Sequence, residues 1–445
     1  MKQPRNKLVA GLLRALLVSL VKGPSRISLH KVPSPLTLVT PSNIMSASER
    51  HFDTIAVAYR HTHTDRSIPL SEPIVRATTF AAESAAEHAR LYQRGTSGFY
   101  QRFGSPTTAA AAAQVAALEG AEAALVFSSG MGAISTVLMT LLGSGRHIVA
   151  HKEIFAQTQE FLEHLNQHFG VELTSVDARD ANAVAKAIRS TTALVYIETP
   201  TNPRLELIDI ASVSNVCRPR GIPLIVDGTF ASPALQRALS LGADVSVHSG
   251  TKYLGGHSDV LCGVASGGAQ LIGRVRLMQR LMGTILDPEA AWLLLRGIRT
   301  LSVRIDRQCQ TAARVAAYLE RRDSIAEVRY PGLPSHPDFA TGQHQMRAGG
   351  GMITFRAKGG RGASAALVDR LRLIQRATSL GGVESVIELP YDLDFSAGPK
   401  ASGSSTTPTD ADADRAGLIR LSIGLEHADD LIADLDQAIA AIDLD

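Results

Sequence analysis

The stretch Asp244-Val-Ser-Val-His-Ser-Gly-Thr-Lys-Tyr-Leu-Gly-Gly-His-Ser-Asp259 reads as a short buried strand that empties into a polar loop. Val245 to Val247 supply the apolar run, and Ser249, Thr251 and Lys252 follow at its end, where an open α/β sheet gathers its ligands. Hydroxyls at Ser249 and Thr251 suit a phosphate. A lysine beside them, partly desolvated and so easier to deprotonate, suits a Schiff base with an aldehyde. Phosphate and aldehyde together point to pyridoxal 5'-phosphate as the cofactor.

Outward from this segment, short apolar runs alternate with helical stretches: Ala124 to Phe127, His147 to Ala150, Leu194 to Ile197, Leu224 to Val226 and Val245 to Val247. That rhythm predicts an α/β fold with a mostly parallel, helix-covered sheet. A helical stretch between Pro288 and Ile305 is the expected passage to a smaller α+β domain, which holds the strand-like Gly351-Met-Ile-Thr-Phe-Arg356 and ends in a helix from Ala428. We expect residues 109–290 to bind the cofactor, 291–445 to form the C-terminal domain, and 45–108 to form an N-terminal arm. Residues 395–414, rich in Ser, Thr, Gly, Asp and Pro, read as a mobile loop bordering the substrate entrance.

Composition narrows the partners. The chain of 445 residues is 45% hydrophobic and 20% charged, ordinary for a globular protein with more than one domain. Its net charge of +3 comes from residues 1–48, which carry seven Lys and Arg and no acid. The folded part is then slightly acidic, which argues against a nucleic-acid partner. The apolar run from Leu8 to Val21 is interrupted by Arg14 and too short for a membrane span, so no membrane partner is expected either. Residues 1–44 read as a transit peptide or an overextended reading frame, outside the fold in both cases. Cys217, Cys262 and Cys309 are far apart in sequence, which suggests neither disulfides nor zinc and fits a reducing, cytoplasmic setting, or an organelle if the leader is genuine.

Two further pieces complete a cofactor site. Asp227 ends the apolar run Pro223-Leu-Ile-Val and is expected at the same sheet edge as Lys252, where a carboxylate can pair with the ring nitrogen. Phe127-Ser-Ser-Gly-Met-Gly-Ala-Ile134 reads as a strand, a tight turn and a helix start, a place for phosphate on free N–H groups. His248 and His257 flank Lys252 without a carboxylate or cysteine set at ligand spacing and read as packing or hydrogen-bonding groups; no metal is expected.

Taken in order, Tyr100-Gln-Arg-Phe-Gly-Ser-Pro-Thr107, the Ser-Ser-Gly-Met turn, Glu198-Thr-Pro-Thr-Asn-Pro203, Val226-Asp-Gly-Thr-Phe230, the Lys252 segment, Ser379-Leu-Gly-Gly-Val-Glu-Ser385 and Ile419-Arg-Leu-Ser-Ile-Gly-Leu-Glu426 resemble the pyridoxal-phosphate-dependent transsulfuration enzymes of cysteine and methionine metabolism. The resemblance runs from about Asp53 to the C-terminus. It implies the type I aminotransferase-like fold, with a seven-stranded sheet, and amino-acid substrates. It further implies a homotetramer of dimers with shared active sites.

The resemblance also implies roles. Lys252 would hold the cofactor and shuttle protons, Asp227 would pair with the ring, and Gly130, Met131, Ser249 and Thr251 would hold phosphate. Tyr100 and Arg102 would complete that phosphate site from a neighbouring subunit, with Tyr100 available for proton transfer. Asn202 would bond near the ring hydroxyl, Phe155 would stack on the ring, Ser379 would orient Lys252, and Arg420 would grip the substrate α-carboxylate.

Departures matter as well. Phe155 replaces a common tyrosine and cannot donate a proton; Ser105 and Gly228 replace asparagines; Gln157 stands where methionine-specialised lyases have cysteine. Phe155 is familiar among O-succinylhomoserine sulfhydrylases and pulls that way, but the Tyr253-Leu-Gly-Gly-His-Ser-Asp259 continuation and the Ser379 motif look more like the cystathionine synthase and lyase branches and outweigh it. Leu380, where some β-lyases have tryptophan, favours γ-chemistry. Cystathionine gamma-synthase is therefore the first expectation, ahead of cystathionine beta-lyase or gamma-lyase and O-succinylhomoserine sulfhydrylase, with a noncatalytic cofactor-binding relative as the competing class.

Overall fold

The computed structural model of the chain describes residues 50–58, 69–95, 97–392 and 417–442. The leader 1–44 and the expected loop 395–414 lie outside the described residues. Seven strands build the first sheet: β1 (Ala123–Phe127), β2 (His147–His151), β3 (Glu172–Val176), β4 (Thr192–Glu198), β5 (Leu224–Asp227), β6 (Val245–Ser249) and β7 (Gly263–Gly267). Their order is β1-β7-β6-β5-β4-β2-β3. Six run in one direction, and β7 alone is reversed, antiparallel to both β1 and β6. The sheet is α/β and mostly parallel, as the alternation predicts.

The central strands are buried on both faces. Every residue of β4 and β5 is buried, and the two faces feed separate apolar clusters, one around Phe127, Leu138 and Tyr196 and the other around Val149, Ile197 and Val226. Two strands were not legible as apolar runs. β3 is half exposed and polar in sequence, as expected of an edge strand; β7 is Gly-Val-Ala-Ser-Gly, fully buried yet nearly without bulk. Its composition follows from close approach, since a Cβ at Gly263 would lie 2.1 Å from the Ser129 carbonyl oxygen and one at Gly267 would lie 2.5 Å from that of Asp244.

The helix Pro106–Glu119 shows local sequence setting local structure. The Ser105 hydroxyl accepts from the Thr108 N–H at 3.2 Å while the Ser105 N–H donates to the Thr108 hydroxyl, Pro106 opens the first turn, and Gly120 closes the helix at φ 66°. Such a cap contributes about 1 kcal/mol. The serine at 105 thus does a job of its own as the cap of this helix.

The expected helical passage after Pro288 is two helices, Pro288–Ile298 and Leu301–Leu319, parted at Arg299 and Thr300. Beyond them lies a five-stranded sheet of β8 (Ile325–Arg329), β9 (Met352–Ala357), β10 (Gln375–Arg376), β11 (Val386–Glu388) and β12 (Ile419–Ser422), in the order β10-β11-β12-β9-β8. β11 and β12 are antiparallel, with Glu388 directly opposite Arg420. The helices Leu301–Leu319 and Ala428–Ile442 close its apolar face.

Candidate active site

The carboxyl ends of β4, β5 and β6 place Glu198, Asp227 and Val247 side by side in register, one strand apart. Asp227 is 4% exposed. Its Oδ1 accepts from the Thr229 N–H at 2.9 Å and the Thr229 hydroxyl at 2.5 Å, and Oδ2 accepts from the Tyr196 hydroxyl at 3.3 Å. Burial raises its carboxyl above the ordinary range, with the Thr229 bonds working against it. Oδ2, with its single long bond, is the more lightly held of the two oxygens.

One turn of chain after β6, Lys252 is recessed, and its Nζ donates to the Ser379 hydroxyl at 2.8 Å. Burial, with the Arg420 cation adding to it and Glu388 opposing, lowers the amine from the ordinary lysine value to about 8. Between about pH 8 and the ordinary lysine value near 10.4 the unfolded chain binds the proton that the folded chain has released, so stability rises with pH across that window. We expect the cofactor-free Lys252→Met protein to be more stable than the parent at pH 7, by up to ~3 kcal/mol, with the gap closing toward pH 10.5. Denaturant melts of both proteins across that range are the measurement. A gap that stays constant with pH would show that the amine is not recessed.

Ser379 has φ 80°, a left-handed backbone that a serine adopts at a cost of about 1 kcal/mol or more. The conformation aims its hydroxyl at Lys252 and its carbonyl at Arg420, whose Nη2 donates to that carbonyl at 3.0 Å. Arg420 is 6% exposed; its Nη1 donates to Asn202 Oδ1 at 3.0 Å, and its Nη2 lies 2.5 Å from Glu388 Oε1. Asn202 is held in turn by Glu198, whose Oε1 accepts the Asn202 N–H at 2.8 Å and whose Oε2 accepts the Phe155 N–H at 2.7 Å. Burial and the neighbouring Asp227 push Glu198 well above the carboxylate range. Glu198 therefore ties Phe155, Asn202 and, through Asn202, Arg420 into one network.

The helix Gly130–Leu141 starts against β6. A Cβ at Gly130 would lie 2.8 Å from Ser249 Cβ, so the glycine opens the helix N-terminus toward Ser249, as phosphate binding needs. Ser129 caps the helix by accepting the Gly132 N–H, and Met131 packs partly buried beside Thr158. The Thr251 hydroxyl is taken up by Cys262, donating to its carbonyl and accepting its N–H. Tyr100 and Arg102 are not brought to this cluster within the chain. Their described contacts go to Thr79, Phe103, Arg280 and each other. His248 donates or accepts with Glu119 at 2.5 Å and with Ser246 at 3.1 Å, beside Gly228, and His257 bonds the Gly255 carbonyl. Among the described residues no group of three metal-ligating side chains occurs.

The residues fit pyridoxal phosphate: a recessed amine for its aldehyde, a buried carboxylate with one lightly held oxygen for its ring nitrogen, and an opened helix start for its phosphate. The sequence profile of the Cys/Met metabolism PLP-dependent enzymes matches residues 53–440, which hold all of these groups. An L-methionine gamma-lyase of Pseudomonas putida is 39% identical over 399 residues, 88% of this chain and 97% of that protein. A cystathionine beta-lyase of Bacillus subtilis is 38% identical over 374 residues, 84% and 92% of the two chains. Cystathionine gamma-lyase from Lactobacillus plantarum, solved in complex with L-serine, superposes with a TM-score of 0.81 at 36% identity, over 88% of this chain and all of that one.

Fold and site thus define a pyridoxal-phosphate-dependent enzyme of the type I fold. More narrowly, the chain belongs to the Cys/Met metabolism family of those enzymes, which comprises carbon-sulfur lyases and transsulfuration enzymes. No helix among the described residues is long and apolar enough to cross a membrane.

Proposed function

We propose that the enzyme works at the γ-carbon of a homoserine-derived amino acid, breaking the Cγ–O bond of an O-acylhomoserine so that the acyloxy group leaves as a carboxylic acid and the sulfur of cysteine bonds to Cγ to give cystathionine. Pyridoxal phosphate, when bound, supplies the carbonyl for the substrate amine and takes up the charge left at Cα. The chain does the rest. Arg420 holds the α-carboxylate, Asn202 holds Arg420, and Lys252, released from Ser379, takes the proton from Cα and then from Cβ. An amine lowered to about 8 can both take and return protons near neutral pH.

The observation that carries the reading is Phe155. Its backbone N–H is held by Glu198, the residue is 37% exposed, and its ring has no proton to give a thiol leaving from Cβ. Chemistry at Cγ needs no donor there if Lys252 moves both protons. Leu380, the residue that favours γ-chemistry in the sequence, is buried in the core with Tyr253 and Leu254 and weighs less.

A second reading, gamma-elimination from methionine, has the 39% identity to the Pseudomonas putida enzyme behind it and Gln157 against it. Incubation of the holoenzyme with O-succinylhomoserine plus cysteine, with cystathionine, and with methionine, followed by mass spectrometry, separates these. Cystathionine is the expected product of the first mixture. Methanethiol from methionine with no cystathionine formed would replace this reading by the second; pyruvate and homocysteine from cystathionine alone would make the enzyme a β-lyase.

The same reading places Tyr100 and Arg102 in a neighbouring copy's phosphate site within a homotetramer, and the enzyme in the cytoplasm. For the shared site the support is that the described contacts of both residues go to Thr79, Phe103, Arg280 and each other, and that Tyr100 is 36% exposed.

A further inference from the structure

Arg420 is already occupied by a carboxylate of its own chain. A guanidinium offers a carboxylate two edges of parallel N–H groups, Nη1 with Nη2 and Nε with Nη2, and both edges use Nη2. In this structure Nη2 donates to the Ser379 carbonyl and stands 2.5 Å from Glu388 Oε1. Neither edge is free for a two-pronged grip on a ligand. The pairing is built into the sheet, because Glu388 and Arg420 face each other across β11 and β12.

Glu388 is poorly served in this position. Its side chain is 11% exposed, and its Oε2 is buried with no hydrogen-bond partner among the described residues. A second cation, Lys252, lies close enough to act on it. One oxygen of a buried carboxylate is thus left unsatisfied, an arrangement that costs free energy until something changes.

We propose that Glu388 is an internal competitor for the substrate-carboxylate site: it latches Arg420 in the unliganded enzyme, and an incoming carboxylate must displace it from Nη2. The proposal rests on the reading of Arg420 as the carboxylate grip. Affinity for any carboxylate is reduced by the fraction of molecules in which the latch is open. Buried Arg420 is in exchange never left as an unpaired cation.

The test uses the holoenzyme and n-butyrate, a four-carbon carboxylate with no amine, so that binding reports the carboxylate site without the cofactor's chemistry. Titration calorimetry is run on the parent, Glu388→Gln, Glu388→Ser and Arg420→Met, with the melting temperature of each recorded with and without butyrate. Both Glu388 variants are expected to bind butyrate about tenfold more tightly than the parent, the factor for a latch closed about nine-tenths of the time. They should also gain more in melting temperature from it, and their KM for the amino-acid substrate should fall. Equal or weaker butyrate binding in both variants, while Arg420→Met abolishes it, overturns the latch and leaves Arg420's role intact. Butyrate binding that survives Arg420→Met overturns the carboxylate-grip reading itself. A Glu388 that merely stabilises the sheet would lower the melting temperature without tightening butyrate.

Discussion

Replacing Lys252 with alanine is expected to cut turnover by about 10^3-fold or more and to abolish covalent attachment of the cofactor. The magnitude follows from the proton transfers assigned to the one amine, since a positioned acid-base group contributes about 10^2 to 10^4. Four lysines occur among the described residues, and Lys152, Lys186 and Lys358 are exposed. Lys152 is moreover paired with Asp177 at 2.9 Å. Lys252 alone is recessed, lowered toward neutrality and held by Ser379 beside Arg420. Borohydride reduction of the parent should fix the cofactor to the peptide carrying residue 252, and reduction of the alanine variant should fix none. Added ethylamine should restore part of the lost rate, because the missing function is a free amine. Cofactor fixed to another lysine in the variant, with turnover intact, would mean that the site has been placed on the wrong residue.

The Lys252 segment, Asp227 and the Ser-Gly turn were legible in the sequence because each is a local pattern: an apolar run, then the functional residue, at a strand's end. The parallel sheet was legible for the same reason. What stayed hidden is informative. β7 escaped because its residues are small to let Ser129 and Asp244 approach, so burial left no trace in hydrophobicity. β3 escaped because an edge strand need not be apolar. Glu388 escaped because one glutamate in Val-Ile-Glu-Leu-Pro carries no signal; its meaning is its partner across the β11–β12 pair, 32 positions later. Glu198 lay inside a quoted motif, yet its two amide bonds, to residues 43 positions before it and 4 after it, could only be read from the fold. Pairings of this kind tie Phe155, Asn202 and Arg420 into one hydrogen-bonded network.

Asp227→Asn is the sharper test of the chemistry, because it changes one proton and almost no volume. The asparagine carbonyl can keep the Thr229 bonds on the Oδ1 side, so the fold and the cofactor's attachment at Lys252 should survive. What is lost lies at Oδ2, which has a single long bond from Tyr196 and is free to hold a cation. Burial makes an ionised Asp227 costly by itself, as its raised carboxyl shows. A protonated ring nitrogen brought to Oδ2 would repay that cost, and the two charges would stabilise each other in a dry site where an amide could replace neither. Losing an electrostatic partner of this kind costs about 10^2 to 10^3 in turnover. Removing the charge also relieves Glu198, which Asp227 pushes upward, so the grip on Phe155 and Asn202 should persist and the loss should fall on kcat. Reconstitution with a cofactor methylated at the ring nitrogen separates the electrostatic account from a structural one. Its permanent charge should restore part of the rate in the asparagine variant and give no gain in the parent. Turnover within tenfold of the parent, without that analogue, would show that the carboxylate does not set the charge of the ring.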